Sequence, residues 1–156
     1  LAGSGTGVHR TWLDPETKDK APVADPRRAM GHLLGNGVRF GIAGAVMAAG
    51  EGIETMLSIR QVMPTLPMIA GLSGAHLAAI AFPDALRRLY VALDDDPAGM
   101  VALSTLRERA GVAGIELIPL EPLNDDFNAD LRKLGRSAMA ASLRRQLATA
   151  DRLQLL

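Results

Sequence analysis

The sequence contains no cysteine, which excludes disulfides and thiolate zinc sites within it and suits a reducing compartment, so the cytoplasm is the expected location. It lacks net charge as well: 17 Lys plus Arg balance 17 Asp plus Glu, and no global field marks a generic polyanion binder. No apolar run approaches the ~18 residues of a membrane-spanning helix, so no membrane partner is expected. No basic segment leading into an apolar signal core is present. The first residue is Leu1 rather than Met, and the chain is expected to be a piece of a longer protein.

What is present suffices for one compact domain. At 156 residues, 48% hydrophobic and 22% charged, the chain has ordinary globular composition and can bury roughly two-thirds of its unfolded surface. Charge is unevenly placed. Residues 1–50 carry six bases and four acids, residues 51–100 three bases and six acids, and residues 101–156 eight bases and seven acids. An acidic centre between basic flanks suits a cation site beside a phosphate-binding surface, with ordinary scatter as the alternative.

Residues 1–44 are rich in Gly, Pro and charge and read as an irregular extension with two short strands, Val8 to Leu13 and Gly37 to Phe40. From Ala45 onward, short apolar runs alternate with longer segments of helical spacing. "AVMAA" precedes "GIETMLSIRQVM", "PMIAGL" precedes "GAHLAAIAF", "RLYVAL" precedes "PAGMVALSTLRERAG", and "IELIPL" precedes "DFNADLRKLGRSAMAASLRRQLATA". Four such alternations predict an α/β fold with about four parallel strands flanked by helices. The expected organisation is an extension over 1–44, a core over 45–136 and a C-terminal helix over 137–156.

In such a sheet the functional crevice lies beyond the carboxyl ends of the strands, so the residues after each run matter most. Acids follow three of the four: Glu51, then Asp94, Asp95 and Asp96, then Asp125 and Asp126. In "LYVALDDDPAGM" (Leu89–Met100), three carboxylates follow a buried run, an arrangement tolerated mainly where a cation or open solvent offsets the repulsion. Strand alternation places Asp94 and Asp96 on one side, and paired carboxylate oxygens suit Mg²⁺. Asp96 before Pro97 is also a good helix start, yet capping explains one aspartate rather than three. Glu51 has a solvated turn acid as its plain alternative, and "DDFNADL" is equally a simple helix start.

"GEGIETML" (Gly50–Leu57), "ALDDDPAGM" (Ala92–Met100) and "DDFNADL" (Asp125–Leu131), in this order, resemble the Toprim domain, a Rossmann-like catalytic module of bacterial-type primases, topoisomerases and some nucleases. The likeness is greatest to primases and primase-helicases of phages and plasmids, and "GVHRTWLDP" extends it upstream. The resemblance implies Mg²⁺-dependent nucleotidyl transfer (Mn²⁺ may substitute) that makes short primers on a single-stranded DNA template from nucleoside triphosphates, with a helicase as a further partner. It places Glu51, Asp94 and Asp96 as catalytic and metal residues, with Asp126 as a further metal ligand. Arg10, Lys18, Lys20, Arg27 and Arg28 would hold template or triphosphate. From the residues themselves, Ser73 in "GLSG" (Gly71–Gly74) is a candidate phosphate contact through backbone N–H groups, with a simple glycine-rich turn as the alternative. The alternatives within the family are a metal-dependent nuclease using the same acids and a non-catalytic nucleic-acid-binding module.

Other classes fit less well. A topoisomerase needs a tyrosine nucleophile, and the single tyrosine, Tyr90, falls in a predicted buried strand. A phosphatase of the Asp-x-Asp-x-Thr type would need threonine where Ala98 stands, and a nucleotide-sugar transferase does not account for "GEGIET". His9, His32 and His76 lack metal-ligand spacing and read as structural or surface residues.

Overall fold

The computed structural model describes residues 5–93 and 97–156. Asp94, Asp95 and Asp96 lie outside the described residues. The N-terminal region forms an antiparallel ribbon of β1 (Gly7–Thr11) and β2 (Arg27–Gly31). The second strand was not foreseen: "RRAMG" has no apolar alternation and every residue is exposed, so only its pairing with β1 makes it a strand. The connector between them is pinned by a bridge from Leu13 to Lys20. A turn starts at Asp14, whose carboxylate accepts from the Glu16 and Thr17 N–H groups at 2.8 Å each. Those two backbone donors, Thr17 first, hold the Asp14 carboxyl below its usual value.

The main sheet contains β3 (Val38–Phe40), β4 (Val46–Gly50), β5 (Met68–Ala70), β6 (Arg88–Ala92) and β7 (Glu116–Leu120), in the order β3-β5-β4-β6-β7. The four strands from β4 onward are parallel, as the alternating pattern predicts. The fifth, β3, comes from the N-terminal extension and runs antiparallel to β5 at the edge.

Helices cover both faces, which is why the central strands read as continuous apolar runs. Successive residues point to opposite sides. Met47, Ala49, Leu89 and Val91 pack with Leu77 of α2 (Gly74–Ala78) and with Ala102, Leu103 and Leu106 of α3 (Pro97–Val112). Ala48, Tyr90 and Ala92 pack with Met56, Ile59 and Met63 around α1 (Ile53–Val62), and with Phe127, Met139 and Leu143 of α4 (Phe127–Gln146). A short α5 (Arg152–Leu155) ends the chain.

Helix α4 is not continuous. Gly135, at φ 81° and ψ 170°, interrupts α4 in a conformation that glycine adopts without a Cβ penalty. The break directs Arg136 to the end of α1, where its Nε donates to the Gln61 carbonyl at 3.1 Å and satisfies one of the acceptors a helix C-terminus leaves open.

Candidate active-site cleft

The strand order reverses at β4: the chain passes from it to β5 on one side, then crosses to β6 on the other. A crevice opens at such a point beyond the carboxyl ends of the strands. Gly50 pairs with Ala92, so Glu51 and Leu93 leave adjacent strands at the same level. Asp94 and Asp96, the expected metal pair, follow Leu93 in sequence and lie outside the described residues.

The backbone around Glu51 is closely determined. A Cβ on Gly50 would lie 2.5 Å from the Met56 sulfur and 3.3 Å from the Ala92 Cβ, so the strand end packs closely on α1 and a larger residue would need the Met56 side chain to move. The Gly71 N–H donates to the Gly50 carbonyl at 2.8 Å, and the Leu72 N–H to that of Glu51 at 2.9 Å. Leu72 has φ 77°, a left-handed conformation that costs a non-glycine residue on the order of 1 kcal/mol or more and persists where its surroundings enforce it. The N–H bond of Leu72 to the Glu51 carbonyl holds it there, and Gly71 before it lets α2 approach, since a Cβ on Gly71 would fall 2.7 Å from the Leu77 nitrogen.

Two contiguous clefts meet at Glu51. One, of about 520 Å³, brings Glu51 and Asp126 together with Lys18, Lys20, Arg27 and Arg132. The other, of about 440 Å³, runs under the ribbon between His9, Leu33, Ile53, Leu57, Ser73 and His76. Glu51, Gly52, Glu54, Arg27, Leu13 and Leu72 border both. The first cleft is lined by charge of both signs, and the second presents a more apolar surface, with Leu13, Leu33, Ile53, Leu57 and Leu72 among its lining residues.

The candidate residues divide accordingly. Arg27, opposite Thr11 on the inner side of the ribbon, forms an ion pair with Glu54 in the first turn of α1 and ties the ribbon to the core. The turn at Asp14 presents Lys18 and Lys20 to the cleft. Arg28 borders the apolar cleft and pairs with Asp25 at 3.3 Å. Arg10 lines neither cleft: strand alternation turns it to the outer side, where its guanidinium lies 4.1 Å over the Trp12 ring. Ser73 caps α2 by accepting from the His76 N–H at 3.2 Å, and its hydroxyl lies 3.1 Å from the His76 Nδ1.

Asp126 caps α4, accepting from the Ala129 N–H at 2.6 Å. That bond uses one carboxylate oxygen and leaves the other for the cleft. The loop before it is held by the buried Asp130, which accepts from the Leu123 N–H at 2.7 Å, and from the Asn124 N–H and side-chain amide at 2.9 and 2.6 Å. Arg132 was missed by sequence reasoning, although Asn128 and Arg132 stand four apart on one helix face and both line the cleft. Leu72 carries no such signal, since its role depends on φ.

Glu51 and Asp126 are both partly exposed, as suits a hydrated, hard divalent cation held by carboxylate oxygens. Among the described residues no three acidic or histidine side chains form a group able to hold a metal ion. The aspartates after Leu93 are not among those residues.

The profile of the Toprim domain matches residues 46–137, and that of a domain of unknown function matches residues 1–40. The chain belongs to the Toprim family, whose members generally bind a divalent metal such as Mg²⁺. Among solved structures, the primase fragment of the bacteriophage T7 primase-helicase protein shares the fold with a TM-score of 0.59 at 12% sequence identity, over 90% of this chain. The chain spans 62% of the length of that fragment. No curated protein matches the chain. Among the described residues, no helix is long and apolar enough to cross a membrane.

Proposed function

We propose that the chain is the catalytic domain of a primase-like protein that makes short primers on single-stranded DNA by metal-dependent nucleotidyl transfer. The observation that supports this most is the convergence of Glu51 and Asp126 with Lys18, Lys20, Arg27 and Arg132 on one cleft at the strand-order reversal. Carboxylates and bases facing one another across a cleft suit a ligand that is itself a metal-bound polyphosphate.

Glu51, Asp94 and Asp96, with Asp126 beside them, would hold Mg²⁺ or Mn²⁺. Such an ion, when bound, would supply charge neutralisation to the triphosphate and a lowered pKa to an attacking oxygen. Lys18, Lys20 and Arg132 contribute fixed positive charge to the phosphates. Glu51, whose backbone carbonyl accepts from the Leu72 N–H, would accept the proton of a primer 3′-hydroxyl.

The chain is incubated with Mg²⁺ and labelled single-stranded DNA, with and without nucleoside triphosphates, alongside Glu51→Gln and a double Asp94→Ala, Asp96→Ala variant. New short products that need nucleotides and disappear in both variants are expected. Shortening of the strand without nucleotides would assign the same acids to a nuclease. Undetectable Mg²⁺ and Mn²⁺ binding by calorimetry would leave a non-catalytic module.

A further inference from the structure

The outer face of the β1–β2 ribbon is built against the ribbon's own stability. Arg10 stands directly opposite Arg28, and Val8 directly opposite Met30. Like charges at opposed positions of an antiparallel pair are destabilising. Val8 and Met30 are 67% and 72% exposed, so the apolar pair is left in water too. Arg10 has no ion-pair partner among the described residues. The exposed Arg28–Asp25 pair is of a kind that contributes little. Beside them Trp12, 40% exposed, holds the Arg10 guanidinium against its ring.

We infer that this outer face is a binding surface for single-stranded nucleic acid, with Arg10 and Arg28 on the phosphates and Trp12 as the platform for an unpaired base. Two opposed cations beside a partly exposed aromatic ring match the alternating charge and ring faces of an unpaired strand. A duplex keeps its base faces stacked inside, and an acidic peptide has no use for the exposed ring. The surface also leads to the cleft: Arg28 borders the cleft mouth, so a strand held here passes over the ribbon's rim toward Glu51. This rests on and deepens the reading above, by locating its template strand, but its test uses neither metal nor nucleotide and so fails independently of catalysis.

The test is fluorescence anisotropy of a labelled oligonucleotide of ~12 nucleotides, within the usual site size for such surfaces, titrated with the chain in chelator at several salt concentrations. The native fluorescence of Trp12, the only tryptophan, is followed in parallel. Single strands should bind and quench Trp12, whereas duplex and inorganic polyphosphate should not quench it. Arg10→Ala should lower the slope of log affinity against log salt by about one. Trp12→Ala should weaken binding between about 5-fold and about 150-fold, with circular dichroism confirming that the fold is kept. Trp12→Phe, which retains a ring, should recover most of the loss. An unchanged salt slope in Arg10→Ala, equal quenching by polyphosphate, or equal displacement by polyglutamate would overturn the proposal.

Discussion

Removing the Asp151 carboxylate should destabilise the chain by about 2–4 kcal/mol, and the reason lies in the strand that leads to the acidic loop. Asp151 is 5% exposed and accepts from the Tyr90 hydroxyl at 2.6 Å and from Arg88 at 2.8 Å. The fully buried Tyr90 hydroxyl in turn accepts from the Ala148 N–H at 3.0 Å. In Asp151→Ala the hydroxyl proton loses its acceptor inside the core, which costs about 1–3 kcal/mol. Arg88 loses a charge-assisted bond but keeps Glu116 at 2.8 Å and some solvent, adding about 1 kcal/mol. Against a total stability of ~5–15 kcal/mol, the shift is easily read in urea unfolding followed by circular dichroism. In Tyr90→Phe the Ala148 N–H loses its partner while Asp151 keeps Arg88, so about 1–2 kcal/mol is expected. A double-mutant cycle should return a coupling of about 1 kcal/mol or more, because the two substitutions delete the same bond. A loss under ~0.5 kcal/mol for Asp151→Ala, or strict additivity in the cycle, would refute this account of the network.

The same tyrosine gives a pH readout. Burial first, and then its bond to Asp151, push the Tyr90 hydroxyl up to about 12 from an ordinary 10.0. Because folding raises this pKa, the associated stability is fully present below about pH 10 and is lost as pH climbs through about 12. As the chain has one tyrosine, tyrosinate absorbance in an alkaline titration reports it alone, and a native midpoint near 10 would contradict its burial. Gly71→Ala should lower stability by about 1–3 kcal/mol, since its Cβ would meet the Leu77 backbone and force α2 to shift. A thermal midpoint within a degree of the parent would show that the contact relaxes freely. Asp130→Ala should cost about 2–4 kcal/mol by stranding three donors of the Leu123–Asn124 loop. Amide exchange should accelerate there, and unchanged protection would exclude the clamp. Replacing Lys18 and Lys20 with Ala should raise the KM for nucleotide more than it lowers kcat, with divalent-ion affinity kept. The opposite pattern would remove them from phosphate binding.

The parallel core was legible because its signal is local. Val46–Gly50 and Arg88–Ala92 are buried on both faces, so each stands out as an apolar run. Glu51 and Asp126 follow such runs, which is how strand-end chemistry shows itself in sequence. What escaped notice depends on partners distant in the chain. β2 is a strand only because β1 lies beside it, and Arg132 reaches the cleft only because α4 is laid against α1. The pairing of Tyr90 with Asp151 spans 61 positions, and no composition or periodicity connects two residues so far apart. Arg10 and Arg27 look alike in sequence. The alternation of a two-stranded ribbon sends one outward and the other into the cleft, and that alternation could be read only after both strands were known.

The strain at Leu72 follows from the same geometry. At the strand-order reversal the ends of β4 and β5 must release their chains in different directions while remaining paired, and the Gly71 and Leu72 N–H groups continue that pairing onto the Gly50 and Glu51 carbonyls. An ordinary φ at residue 72 would break this continuation and let the Glu51 backbone turn away from Asp126. The left-handed residue, with glycine before it to admit α2, thus holds the Glu51 backbone at the end of β4. Replacing Leu72 with Gly relieves the φ cost but loosens that hold. The expected result is near-unchanged global stability with weaker divalent-ion binding, measured by urea unfolding and calorimetry on the same preparation. Metal affinity equal to the parent in Leu72→Gly would show that the conformation of residue 72 has no part in orienting Glu51.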